Sequence, residues 1–223
     1  MATATYFHSE SFEFLRQLKR NNRREWFTGN KSRYEEFLAQ PALAFIRDFS
    51  PHIEKISPHF VADPRPARGS LFRIYRDTRF SANKDPYKTH VGIHFSHAAG
   101  KDPHAPVFYL HLEPENCFVA GGIWQPDNRA LTMPRTTIAK CPERWAAVRR
   151  RLTIEGESLS RLPRGFDSAD RFVEDLKRKD FVSTEALTAT QICGDKFMRE
   201  FVTSCKRLTP LVEFTCFALK LKF

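Results

Sequence analysis

Between Leu71 and Trp124 the chain alternates apolar and polar residues with a period of two in four short runs. LFRIYR sends Phe72 and Ile74 to one side and Leu71, Arg73 and Tyr75 to the other. HVGIHFSH splits Val91, Ile93 and Phe95 from His90, Gly92, His94 and Ser96. VFYLHLEP separates Phe108, Leu110 and Leu112 from Val107, Tyr109 and His111, and NCFVAGGIW separates Cys117, Val119, Gly121 and Ile123 from Phe118, Ala120, Gly122 and Trp124. Successive side chains of a strand point to opposite faces, so this pattern predicts half-buried strands. The connection Glu113–Asn116 has hairpin length, and the longer Ala98–Ala105 holds Gly100 and Pro103. The runs read as an antiparallel meander of at least four strands over about 70–124. One face collects Phe72, Ile93, Phe95, Leu110 and Val119 as core. The other collects Arg73, Tyr75, His90, His94, Tyr109, His111 and Trp124 as the floor of a pocket.

Helical periodicity dominates on both sides of the meander. Phe12, Leu15 and Leu18 stripe a helix over 9–20 with Ser9 as its cap. RREWF is a second short piece, ended by Gly29 and Asn30. Tyr34, Leu38, Ala42, Phe45, Phe49 and Ile53 recur at three- and four-residue spacing. Pro41 and Pro51 should break that run, because proline lacks the N–H that a helix interior needs. Asp127 caps a helix that Pro134 should kink, and PERWAAVRR is another. Residues 154–170 form an irregular connector, RFVEDLKRKD a short helix, and FVSTEAL a strand or an extended arm. Phe197, Phe201, Cys205 and Leu208 line a helix, after which Thr209-Pro210 should cap and start a new one. The fold class is therefore α+β: one domain over 1–223, with helices at both ends around the sheet.

The stretch Arg68–His97 carries Arg68, Arg73, Arg76, Arg79, Lys84 and Lys88 against only Asp77 and Asp85. Gathered like charge is costly unless an anion answers it, and guanidinium groups match phosphate and carboxylate oxygens in pairs. Arg73, Arg76, Arg79, Lys84 and Lys88, floored by Tyr109 and His111, are thus the expected ligand-binding residues, with Lys31 as an added contributor. His94 or His111 is the acid/base candidate, since imidazole titrates near neutrality. Asn21, Asn22 and Asn30 read as caps of helix junctions.

Other chemistry finds less support. His90 and His94 lie about 13 Å apart along a strand, too far to share one metal ion. Either can meet His111 across strands, but only Glu113 offers a carboxylate nearby, so no metal and no cofactor is expected. There is no nucleophile elbow and no P-loop. Ala120-Gly121-Gly122 instead marks close approach by a neighbour or ligand. The five cysteines lack metal-type spacing, and Cys117 reads as a buried thiol.

The formal charge is +10, from 36 Lys+Arg against 26 Asp+Glu. That balance favours phosphate, nucleic acid or acidic partners. No run reaches the roughly 18 apolar residues of a membrane span, and no basic-then-apolar leader opens the chain. A cytoplasmic protein without membrane contact is expected.

Several long stretches together resemble the domain-of-unknown-function family number 2461. They are FLRQLKRNNRREWFTGNKSRYEEF, FRIYRDTRFSANKDPYKTHVGIHF and YLHLEPENCFVAGGIWQPD, followed by LPRGFD and LKRKDF. The similarity spans nearly the whole chain. It implies one domain and singles out RDTRF–NKDPYK as a defining segment, but it transfers no activity.

The expectation is a protein that binds a small phosphorylated or carboxylated ligand on the polar sheet face, with histidine acid/base turnover if there is chemistry. A non-catalytic nucleic-acid-binding module and a protein-interaction scaffold are the alternatives.

Overall fold

The structure is a computed structural model that describes residues 5–99 and 105–223. Gly100 and Pro103 of the long connection lie outside the described residues. Four strands form one antiparallel sheet in the order β1-β2-β3-β4: β1 Val91–Ser96, β2 Val107–Leu112, β3 Cys117–Ile123 and β4 Phe181–Leu187. The α+β class and the antiparallel four-stranded sheet are as the sequence predicts, but the fourth strand is FVSTEAL rather than LFRIYR. Nearly 60 residues of chain separate β4 from β3, and local pattern carries no trace of such a pairing.

LFRIYR lies against the free edge of β1 in two fragments. Leu71 bridges Ile93, and Tyr75 bridges Tyr87. Between those bridges the residues 72–74 face the longer stretch 88–92, so the second side bulges and no continuous ladder forms. Phe72 N–H donates to Gly92 at 2.9 Å and Lys88 N–H to Ile74 at 2.8 Å, on either side of the bulge. Leu71 therefore shares the face of Ile93, and Phe72 turns to the polar face, where it is exposed. The expected burial of Phe72 is corrected on this ground; Ile74, beyond the bulge, is buried.

The helices follow the apolar stripes, with prolines less disruptive than expected. α1 (Ser9–Arg20) is capped at His8 rather than Ser9, and α2 spans Arg24–Gly29. α3 (Lys31–Tyr34) runs through a π turn at Glu35–Ala39 into α4 (Gln40–Ile56). Pro41 has no N–H for the carbonyl of Phe37, and the Ser11 hydroxyl donates to that carbonyl at 2.8 Å instead. Wide π turning at this point lets the helix pass the proline without a break. α5 (Asn128–Lys140) and α6 (Pro142–Arg149) follow β3, and α7 (Val173–Leu176) precedes β4. Asp127 caps α5, accepting from Ala130 N–H at 2.7 Å. After α8 (Ala189–Ile192), α9 runs unbroken over Phe197–Ala218 with Pro210 inside it.

Two apolar clusters result, and α9 serves both. The larger joins α1, α4, the apolar face of β1–β3 and the α9 residues Phe201, Cys205, Leu208 and Val212. The smaller gathers Leu131, Ile138, Trp145, Leu176 and Phe181 around Leu211 and Phe214 of α9. Gly121 and Gly122 are explained by neighbours. A Cβ on Gly121 would stand 3.0 Å from Leu208 and Val212, so α9 lies directly on that strand. Gly122, at φ +128°, has the carbonyl oxygen of Phe181 where a Cβ would go. With α9 and α4 covering one face of the sheet, the other is left for the polar side chains.

Candidate functional site

Register sets the polar face. Pairs Gly92↔His111, His94↔Tyr109, Tyr109↔Ala120 and His111↔Phe118 place all these residues on one side, opposite Ile93, Leu110 and Val119. One step beyond the Val91↔Leu112 pair, the same register sets His90 against Glu113. Gly92 opens space in the middle: a Cβ there would stand 2.7 Å from the Tyr109 hydroxyl and 2.8 Å from the Phe72 ring. The glycine is what allows Phe72 and Tyr109 to close over the strand.

The side chains form a connected floor. Tyr109 Oη lies 3.0 Å from His111 Nδ1, and His111 Nε2 lies 3.4 Å from Glu113 Oε2. Thr89 donates to the other Glu113 oxygen at 3.2 Å. The His111 ring stacks on Phe118 at 4.7 Å, and the His90 ring lies 4.4 Å from that of His111. His94 stacks under Phe72 at 4.5 Å, with its Nδ1 2.7 Å from the Ser96 hydroxyl. From the core side, the Cys117 thiol donates to the Glu113 carbonyl at 3.0 Å, which pins the end of β2.

Burial governs the protonation states. Desolvation lowers His90 to about 4, helped by repulsion from His111, Lys88 and Arg76, while Glu113 opposes the shift. Desolvation also lowers His94, and lowers His111 against the pull of Glu113. Tyr109 is pushed up, first by burial and then by the Glu113 carboxylate. At neutral pH the floor thus presents uncharged imidazoles and an intact phenol. Cys117 is buried and its thiol is likewise pushed up by burial, in keeping with an inert core residue.

The expected basic residues divide into two groups. Lys88 stands over the Phe72 ring at 5.0 Å and donates to the Arg73 carbonyl at 3.0 Å. Burial and repulsion from Arg73 lower its pKa. Arg76 reaches the Ser81 hydroxyl at 3.4 Å. None of Arg73, Arg76 and Lys88 forms an ion pair among the described residues, and Arg76 and Lys88 lie close enough to His90 to repel its proton. Arg79 is instead clamped by Asp77 at 2.6 Å, which helps hold that carboxyl at about 2, and Lys84 donates to the Thr78 carbonyl at 3.0 Å. These two belong to the exposed loop, and among the described residues neither bonds a residue of the floor.

The loop is anchored from the N-terminal helices. The Asn22 side-chain amide makes both backbone hydrogen bonds of Tyr87, donating at 2.9 Å and accepting at 3.1 Å. Tyr87 stacks on Phe27 at 4.1 Å. Asn21 and Asn30 cap their helices by donating to Gln17 and Trp26. Lys31 pairs with Glu35 at 3.6 Å on the exposed side of its helix. Trp124, expected beside the floor, lines a separate cleft with Leu131, Arg135 and Lys179. Sequence reasoning placed His90 on the floor and named Glu113 as the one carboxylate near His111, but gave neither a role in the site. Their juxtaposition needed the register, which period-two alternation leaves open.

No curated protein and no solved structure matches this chain. The model of one family does, over residues 10–214, with the description "Conserved hypothetical protein (DUF2461)". That match covers the N-terminal helices, the bulged RDTRF–NKDPYK loop, the sheet and most of α9, and the chain belongs to the DUF2461 family.

Proposed function

We propose that the polar face of the sheet binds a small phosphorylated or carboxylated ligand. The observation that carries this reading is the pair Arg76 and Lys88, cations that form no ion pair among the described residues and stand close enough to the uncharged His90 to repel its proton, with Arg73 beside Lys88. A dianion placed there would exchange mutual repulsion for charge-assisted hydrogen bonds of about 1.5–3 kcal/mol each. The Tyr109 hydroxyl, kept protonated, would donate to it. His94 or His111, kept neutral, would accept a proton if the ligand is turned over. Arg79 and Lys84 would join only by leaving Asp77 and the Thr78 carbonyl.

Thermal unfolding tests the reading. Phosphate, sulfate or a phosphorylated metabolite at constant ionic strength should raise the melting temperature, because a ligand at a hundred times its Kd adds about 2.7 kcal/mol. Arg76→Ala should abolish the rise and keep the fold, since its bond to Pro86 is made by the backbone N–H and its side chain gives up only a 3.4 Å contact with the Ser81 hydroxyl. A wild-type protein indifferent to every anion would end the proposal.

One observation favours nucleic acid as a second reading. Phe80 is 96% exposed at the tip of the basic loop, with the Arg79 guanidinium 5.8 Å from its ring. Such a ring stacks readily on an unpaired base. Oligonucleotide binding that weakens linearly on a log–log salt plot, and that Phe80→Ala removes, would support this reading over the small anion.

A further inference from the structure

The geometry points to a divalent transition-metal site made by His90, His111 and Glu113. Their ligating atoms all lie within 4.8 Å of one another. An ion centred in a triangle of that edge would sit about 2.8 Å from each donor, so shifts of about 0.7 Å reach the roughly 2.1 Å of a zinc–nitrogen or zinc–oxygen bond. His111 Nε2 and Glu113 Oε2, 3.4 Å apart, already have the spacing of two ligands on one tetrahedral edge, about 3.4 Å for such bonds.

The surroundings fit a ligand set better than a plain hydrogen-bonded pair. A metal-binding histidine is normally held through its other nitrogen. His111 meets this condition, since Tyr109 Oη holds Nδ1 and leaves Nε2 toward the cluster. Glu113 is held in the same way: Thr89 takes Oε1 and leaves Oε2. His90 makes no side-chain hydrogen bond among the described residues, although its ring is packed against that of His111. A structural role for the pair alone gives His90 no reason to be there. Backbone register supplies the placement, because Glu113 follows β2 two residues after His111, and His90, just before β1, stands opposite Glu113 when the Val91↔Leu112 register is continued by one step.

Two imidazoles and one carboxylate suit zinc, iron, cobalt or nickel rather than magnesium or calcium, which prefer oxygen shells. Three protein ligands leave room for a water or a substrate oxygen, the arrangement of catalytic rather than structural sites. Arg76 and Lys88 nearby disfavour a bare cation and favour one whose open position carries an anion. Metal and anion binding should therefore strengthen each other.

The test is a cobalt titration of the chelator-treated full chain, followed by visible absorption in chloride buffer without phosphate. One equivalent should bind saturably and be displaced by zinc. His90→Ala and Glu113→Gln should each weaken binding by more than about 100-fold, and Tyr109→Phe by about 10-fold, as for outer partners of metal ligands. His52→Ala, on α4, should change nothing. Glu113→Gln preserves the shape of the side chain, so far-UV circular dichroism of that variant separates lost binding from lost folding. Absence of stoichiometric binding would overturn the site. So would binding that survives His90→Ala combined with Glu113→Gln, or that disappears only when the cysteines are alkylated. Because phosphate is left out, failure here leaves the anion reading standing, and loss of the anion effect leaves the metal site standing.

Discussion

His94 shows how one position on this sheet is tuned. It lies under the Phe72 ring, and burial lowers its pKa. In the unfolded chain the imidazole returns to about 6.5. Below that pH the unfolded state binds the additional proton, so stability is complete above about pH 6.5 and falls as the pH drops through the folded value. Histidine ring signals followed by NMR should place His94 below 6.5. His94→Gln should flatten the fall of melting temperature in acid. A His94 that titrates at or above 6.5 would mean that the ring is more hydrated than its packing implies. Phe72 belongs to the same argument. Its alternation with Ile74 reads as one buried stripe, yet the bulge at 88–92 turns it onto the opposite face.

At the scale of elements, the glycine pair on β3 gives a graded prediction. An alanine at 121 meets side chains of α9, which shift at a cost of about 1–3 kcal/mol. An alanine at 122 meets the Phe181 backbone and a positive φ, and should cost more, because the β3–β4 pairing must open as well as strain the chain. Urea denaturation of both variants measures the order, and a Gly122→Ala protein as stable as wild type would contradict it. Much of this layer was legible in advance. Period-two alternation placed Ile93, Phe95, Leu110 and Val119 on the core face and His94, Tyr109 and His111 on the other, because a half-buried sheet admits no other parity. Partnership was not legible. FVSTEAL reads as strand or arm until β3 is found beside it, and the facing of His90 and Glu113 follows from a register that alternation does not encode. Proline misled for a local reason. Pro41, Pro51 and Pro210 look like breaks, but Pro51 and Pro210 ride inside a helix and Pro41 stands in the first turn of α4, directly after the π turn, and the carbonyl left by Pro41 is satisfied by Ser11 from a distant segment.

For the whole molecule, α9 decides whether the two apolar clusters are separate. Its residues Phe201, Leu208 and Val212 enter one, and Leu211 and Phe214 enter the other. Melting either cluster strips one face of the same helix, so the chain should unfold in a single transition. Far-UV circular dichroism and tryptophan fluorescence should then give coincident midpoints, Trp145 reporting the smaller cluster and Trp26 the larger. Two resolved steps would mean that the segment 128–180 folds by itself. With the core on one face of the sheet, the other carries the half-buried rings of His90, His94 and Tyr109 and the buried ring of His111. Among the described residues no helix is long and apolar enough to cross a membrane.

The central claim, that this polar face is an anion site, is tested most directly by histidine side-chain NMR during a phosphate titration at constant ionic strength. The ring signals of His90, His94 and His111 should move along one saturable curve while those of His8 and His52 stay in place, and Arg76→Ala should remove the response. Floor signals that do not move, or histidines that all drift together without saturation, would contradict it.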